Sequence, residues 1–374
     1  MTCAITTSFL GCLVTLSLYI RYIYFINTST TRKLISLIIA LIFGCIPLLV
    51  SYKFENLFGN FYTTYRYTLY YIYVGCIILF SLSIFRDALW LIAHKISPQY
   101  IISPFGKEYH LSNSLTTLGI TIILTTYALL EGIATPEIKR ETLYSNKLST
   151  PFKIAVLSDL HIHRTINPQK IEKIIKKTNQ ENADIILLAG DIIDDEVNKV
   201  KPITQLLTKL KTKHGIYFVT GNHEFYTGYQ KTTNELKKLG FTFLENSGTS
   251  ITPNIYLAGI PDWFSAQQHQ IPISLASALK NSTISQYKIL MSHTPVDFGE
   301  QNKFDLEISG HTHGGQIFPF HLFVKLANKY LSGLYTLEND AQIYVSNGAG
   351  QWGPQMRFLA PSEISIITIQ PTSK

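Results

Sequence analysis

Residues 1–20, 34–52, 67–85 and 111–130 contain no Asp, Glu, Lys or Arg. Each run is 19 or 20 residues long, and about 20 helical residues span a hydrocarbon core of roughly 30 Å. Lipid offers the backbone no hydrogen-bond partner, so such runs are stable there only as helices. The pattern predicts four transmembrane helices within residues 1–134. Tyr19, Tyr22, Tyr24, Tyr65, Tyr67 and Trp90 gather at the run ends, as interfacial aromatics do. Residues 85–96 read as an interfacial amphipathic turn or as an extension of the third span, with Arg86 and Asp87 paired.

Beyond residue 134 the pattern changes. Residues 135–150 read as a short basic linker. Apolar runs at 152–157, 185–189 and 216–220 then alternate with amphipathic segments at 168–179, 200–211 and 229–239. This spacing predicts an α/β domain over 151–374 built on βαβ crossovers. Later apolar runs at 255–260, 287–291, 306–309, 342–345 and 364–369 come with fewer helices, which predicts a second sheet or mixed strand direction.

Charge follows the same division. Residues 1–134 hold eight Lys/Arg and four Asp/Glu, and the rest hold 24 and 21. This asymmetry excludes a simple soluble enzyme, and a hydrophobic content of 46% excludes disorder. The net charge of +7 is spread over both parts without a basic run, so no specific nucleic-acid binding is expected. Cys3, Cys12, Cys45 and Cys76 all lie in the apolar part, leaving none for a later disulfide framework or zinc–thiolate site. Met1-Thr2-Cys3 supplies no basic start, so a cleaved signal peptide is not expected. Counting Arg21, Arg32, Lys33, Arg86, Lys95 and Lys107 against Lys53, Arg66, Lys139, Arg140 and Lys147 leaves the side of the membrane undecided. His94 and His110 read as interfacial residues.

The chemistry gathers where the predicted strands end. Ser158-Asp159-Leu160-His161, Gly190-Asp191-Ile192-Ile193-Asp194 and Gly221-Asn222-His223-Glu224 follow the first three strands. Ser292-His293-Thr294-Pro295 and Gly310-His311-Thr312-His313 follow two later ones. Ligands in open α/β sheets bind beyond the carboxyl ends of strands, so these ends can deliver their side chains to one crevice. Imidazole and carboxylate oxygen suit Mn, Fe and Zn, whereas calcium calls for more oxygens. Asp191 has two oxygens and can bridge two ions. Two metals about 3.5–4 Å apart clamp the attacking and leaving oxygens of an in-line displacement at phosphorus and activate water.

Asp159-x-His161, Gly190-Asp191-x-x-Asp194, Gly221-Asn222-His223-Glu224, His293 and Gly310-His311-x-His313 resemble the five-motif signature of calcineurin-like metallophosphoesterases over about residues 151–370. The resemblance implies a two-sheet β-sandwich flanked by helices, here preceded by four transmembrane helices. It implies one metal held by Asp159, His161, Asp191 and His313, and a second by Asp191, Asn222, His293 and His311. His223 would contact the phosphate or help protonate the leaving oxygen, with Asp194 or Glu224 orienting its neighbours. Manganese is the usual metal, and iron or zinc fits the same ligands. The segment from Asn347 to Ile364 is similar to a branch of small bacterial phosphoesterases with membrane segments ahead of the catalytic domain. This chain departs from many members in carrying Ile162-His163-Arg164 after Asp-x-His. His163 and Arg164 face either an anionic substrate or solvent.

The expectation is thus a multi-pass protein of a bacterial inner or cell membrane that hydrolyses phosphodiester or pyrophosphate bonds. Its partners would be the lipid bilayer and a phosphoester or pyrophosphate substrate, lipid-linked in one version. A UDP-2,3-diacylglucosamine pyrophosphohydrolase of lipid A synthesis is a specific alternative. A sensor or scaffold with a non-catalytic metal-binding domain is another.

Overall fold

The computed structural model describes residues 2–24, 28–51, 58–97, 110–299 and 303–372. The chain divides into two compact units, Met1–Leu130 and Glu131–Lys374.

The first unit is helical. Among the described residues three helices are long and apolar enough to cross a membrane: Ile5–Ile23, Tyr62–Ile96 and Ser114–Ile133. The second predicted span, at 34–52, is not one continuous helix. It forms Thr30–Gly44 and Ile46–Ser51, with Cys45 between them. Pro47 accounts for the break, because it lacks an N–H and its ring crowds the carbonyl four residues back. The third run continues through residues 85–96 as one helix, Tyr62–Ile96, so the extension is correct and the interfacial turn is not. Within it Arg86 Nη2 donates to Asp87 Oδ1 at 2.8 Å, and Arg21 bonds the same carboxylate. Trp90 stacks on His94 at 5.0 Å. Lys53 and Lys107, used in the orientation count, and the side chains of Tyr24 and His110 lie outside the described residues.

The second unit is a sandwich of two six-stranded sheets. The strands are β1 (Glu137–Ser145), β2 (Phe152–Leu157), β3 (Ile185–Ala189), β4 (Ile216–Val219), β5 (Thr242–Phe243), β6 (Ser247–Thr252), β7 (Ile255–Gly259), β8 (Tyr287–Met291), β9 (Leu306–Ser309), β10 (Gly333–Thr336), β11 (Gln342–Val345) and β12 (Glu363–Pro371). One sheet runs β1-β12-β2-β3-β4-β5 and the other β10-β11-β9-β8-β7-β6. β2 to β5 are parallel, as are β7, β8, β9 and β11. Side chains alternate between faces along a strand, and each central strand is apolar on both. Ile154, Val156, Ile185, Leu187, Leu257, Ile289 and Ile308 fill the space between the sheets. Ala155, Leu157, Ile186 and Leu188 face outward, against Ile171, Ile174 and Ile175 of the helix Pro168–Gln180. On the opposite side Tyr256, Ala258 and Leu290 pack with Leu275, Ala278 and Leu279 of the helix Leu275–Leu279. Strands covered on both faces read as continuous apolar runs, which is why the sequence pattern located them.

The expected linker is different. Residues 137–145 form β1, paired in parallel with β12 over nine residues. Its burial pattern is mixed, and only Leu143 is buried among its nine residues. An edge strand of this kind carries charges on its open side, and that made it read as a basic connection.

Candidate metal centre

The parallel strands of both sheets end at one place. β2 leads to Asp159 and His161, β3 to Asp191, β4 to Asn222 and His223, β8 to His293, and β9 to His311 and His313. Backbone bonds lace these ends together. Asp159 N–H donates to Gly190 O at 3.1 Å, His161 N–H to Asp191 O at 2.9 Å, and Gly310 N–H to His293 O at 2.9 Å. Asp159, His161, Asp191, His311 and His313 all adopt φ between 45° and 69°. That left-handed region is uncommon for any residue with a Cβ. Strain of this kind persists where the surroundings over-determine it, and it clusters at functional sites.

The glycines beside these residues permit the close approach. A Cβ on Gly310 would collide with Ser158 Oγ and Asp159 Oδ2, and one on Gly221 with Asp191.

Two groups of side chains emerge. Around the first, His161 Nε2 and His313 Nε2 lie 3.0 Å apart, and His313 Nε2 lies 3.3 Å from Asp159 Oδ1. Asp191 Oδ2 lies 3.6 Å from His161 Nε2. Around the second, His293 Nε2 lies 3.3 Å from the same Asp191 oxygen, and Asn222 Oδ1 lies 3.0 Å from His311 Nδ1. Asp191 Oδ2 thus borders both groups. Ligand atoms of Asp159, His161 and His313, and of Asp159, Asp191 and His293, converge closely enough to hold a metal ion.

Their hydrogen bonding tests whether a cation fits. His293 Nδ1 donates to Ala189 O at 2.8 Å, so Nε2 is the ring's lone-pair nitrogen in the neutral form. Nε2 is buried without a hydrogen-bond partner and faces a carboxylate oxygen. Two acceptors at 3.3 Å need a positive charge between them, either a proton or a metal. Burial alone would lower His293, but the Asp191 charge outweighs it and holds the imidazole well above its ordinary range. Burial would raise Asp191, but His293 and then His223 hold it well below the usual carboxylate range. His313 moves the other way: burial, then the charges of His161 and Arg357, keep it well below the ordinary value. A neutral imidazole is the state that binds metal. The residues present fit divalent cations.

His223 stands beside this cluster. Its Nδ1 donates to Asp194 Oδ1 at 2.5 Å, and its Nε2 lies 4.0 Å from Asp191 Oδ2. Burial would lower it, but Asp191 and Asp194 outweigh that and push it up to about 9. Asp194 also lies 3.4 Å from His161 Nδ1 through its other oxygen. Glu224 does something else. It accepts the N–H groups of Asp191, Ile192, Ile193 and Gly221 at 2.7–3.0 Å, and so ties the loop after β3 to the loop after β4. His163 and Arg164 have partners of their own. Arg164 pairs with Asp195 through two guanidinium nitrogens, and His163 bonds Gln355 Nε2 at 2.8 Å and Thr165.

Asp262 and Phe264 escaped the sequence reading, and Arg357 entered it only as part of the segment from Asn347 to Ile364, without a role. Asp262, fully buried, accepts Thr294 Oγ1 at 2.6 Å, and its charge acts on His293 and His311. It follows β7 as Pro261-Asp262, the same strand-end signal as the others. Arg357 is fully buried and donates to the carbonyls of His313, Asn347, Gly350 and Ala360 at 2.7–3.1 Å. No spacing rule would have revealed that. Phe264 lies over His311, with ring centroids 6.4 Å apart.

A sequence model of calcineurin-like phosphoesterases matches residues 152–315. A metallophosphoesterase of Helicobacter pylori strain J99 is 40% identical over 247 residues, covering 65% of this chain and 66% of that protein. The chain therefore spans just under two thirds of that relative's length. A metallophosphoesterase of Aquifex aeolicus is 30% identical over 256 residues, 67% of this chain and 98% of its own. A transmembrane protein with a metallophosphoesterase domain from Danio rerio is 30% identical over 274 residues, 69% of this chain and 62% of its own.

Proposed function

The chain belongs to the calcineurin-like phosphoesterase family, and from that premise we propose a membrane-anchored hydrolase of phosphodiester or pyrophosphate bonds that works with two divalent metal ions. The observation that carries the reading is the buried, partnerless His293 Nε2 set 3.3 Å from Asp191 Oδ2, with His161 Nε2 3.6 Å from the same oxygen. One ion would be held by Asp159, His161, Asp191 and His313, the other by Asp191, Asn222, His293 and His311, with manganese first among the metals and iron or zinc suited to the same donors. Bound there, the metals polarise the phosphoryl oxygens and activate water.

The chain's own groups do the rest. Asp191 offers one carboxylate oxygen to both donor groups, which fixes their spacing. Asp194 holds His223 Nδ1–H, so His223 Nε2 is turned toward the cluster and carries the proton for the leaving oxygen. Water oxygen bonds to phosphorus and releases one proton to solvent, the bond from phosphorus to the leaving oxygen breaks, and that oxygen takes the proton from Nε2, which solvent then replaces. Glu224 keeps the β3 and β4 loops at the distance this transfer needs. Three apolar helices support a multi-pass anchor, which would raise the local concentration of a membrane-associated substrate.

The test uses the detergent-purified full chain with bis-p-nitrophenyl phosphate, run beside UDP-2,3-diacylglucosamine. Chelation should abolish turnover and Mn²⁺ should restore it. Asp191→Asn should cost at least about a hundredfold, because even partners outside the metal's ligand set cost 10–100-fold. Turnover that survives chelation, or survives Asp191→Asn, would sink the proposal, and the faster substrate distinguishes a general phosphodiesterase from a lipid A step.

A further inference from the structure

The helix Phe320–Asn328 has no buried residue, although its sequence is largely apolar. Leu322, Phe323 and Leu326 are 59%, 64% and 86% exposed. At spacings of three and four they share one helix face. Scattered apolar residues on a surface are ordinary, whereas a contiguous group marks an interaction surface.

Two further apolar side chains extend the group. Gln316 Nε2 donates to Trp352 O at 2.7 Å, and Trp352 N–H donates back to Gln316 Oε1 at 3.0 Å. Phe318 N–H donates to Phe358 O at 3.1 Å. Trp352, 37% exposed, and Leu359, 70% exposed, are therefore fastened to the segment that leads into the helix. Leu359 adopts φ 60, a costly conformation for a bulky residue, kept here on a side chain turned to the outside.

The same segment meets the end of an apolar span. The candidate span Ser114–Ile133 finishes in the catalytic unit, which begins at Glu131. Gly132 O accepts Gln351 Nε2 at 2.6 Å and Lys170 Nζ at 2.7 Å. A Cβ on Gly132 would collide with the backbone of Gln355 and Met356. Trp352 is thus the neighbour in sequence of a residue bonded to the last turn of a membrane helix, where interfacial Trp belongs.

We infer that the helix Phe320–Asn328, together with Trp352 and Leu359, is a second membrane contact that lies in the bilayer surface with its apolar face toward the acyl chains. Leu and Phe on one face with a basic residue, Lys325, beside them is the make-up of an interfacial helix. The occupant is the bilayer because Gln351 and Met356, on either side of Trp352 in sequence, contact Gly132 at the end of the span. The consequence reaches the site. The helix begins seven residues after His313, and a Cβ on Gly315 would collide with His321, so the turn bearing His313 packs directly on the membrane contact. The inference rests on Ser114–Ile133 being a span and not on the phosphoesterase chemistry.

The test places a single nitrobenzoxadiazole-labelled cysteine on the full chain in phosphatidylcholine vesicles, after Cys3, Cys12, Cys45 and Cys76 are replaced by alanine. Leu326→Cys is the test position, Ile123→Cys reports the span, and Ile284→Cys, 89% exposed, reports water. Phosphatidylcholine brominated in its acyl chains should lower emission at 326 and 123 to about half or less and leave 284 almost unchanged, as expected for a face buried about 5–10 Å deep. Aqueous iodide should do the reverse. Quenching of 326 by iodide and not by brominated lipid, with 123 still quenched by lipid, would overturn the inference alone. Protection of 326 from both quenchers would overturn it in favour of a protein cover such as a second copy. Failure at 123 would remove the span on which it rests.

Discussion

The two ring nitrogens of His223 have different surroundings. Nδ1 is bound to Asp194 at 2.5 Å, and Nε2 points toward Asp191. If Nε2 supplies the proton for the leaving oxygen, its loss should matter most where that oxygen is a poor leaving group. His223→Ala is expected to lower kcat by about 10²–10⁴-fold while leaving the metal content intact, with the larger loss on alkyl than on p-nitrophenyl esters. Equal loss on both substrates would assign His223 to phosphate binding instead, and loss of metal would assign it to structure. Residue identity was legible in the sequence because each group follows an apolar strand. The division of labour between Asp194 and Glu224 was not. Both are carboxylates close to His223 in sequence or space, and only the hydrogen bonds separate the one that holds a ring from the one that holds four backbone N–H groups. His163 and Arg164 were left open between substrate and solvent, and the structure gives them neighbours within the protein.

At the scale of elements, the central strands were the most legible, because sheets covered on both faces leave long apolar runs. β1 was missed because an edge strand with one buried residue looks like a connection, and the continuous span at 34–52 fails at Pro47 because run length carries no information about backbone donors. β9 offers a test of how tightly these strands are packed beneath the site. Glu307 is fully buried, with Val296 N–H donating to its Oε1 at 3.0 Å and Ser309 Oγ at 2.7 Å. Burial pushes its carboxyl from 4.5 up to about 8. Between those values the folded chain keeps a proton that the unfolded chain has released. Stability should therefore fall as pH rises through that window, by at most about 1.4 kcal/mol per pH unit, and level off above it. Glu307→Gln keeps the acceptor oxygen and cannot ionise, so it should flatten that part of the profile. Thermal unfolding of the solubilised full chain from about pH 5 to about pH 9 checks this, and parallel profiles for the two proteins would contradict it.

The whole molecule joins an apolar helical unit to a two-sheet catalytic unit, and the charge asymmetry of the sequence already marked that division. What the sequence could not carry were contacts made at long range. Arg357 bonds the His313 carbonyl 44 residues away in the chain, a contact that no local pattern encodes. In the proposed centre, Asp191 and the surrounding imidazoles would hold two cations between facing acceptor atoms. Counting metal per chain tests it most directly. The purified full chain would be dialysed to equilibrium against Mn²⁺, Fe²⁺ or Zn²⁺ and its metal measured by plasma mass spectrometry. About two ions per chain are expected, falling to about one or none in Asp191→Asn, because one carboxylate would serve both positions. A folded wild-type chain that binds none of the three metals, or an Asp191→Asn chain that keeps both ions, would contradict it.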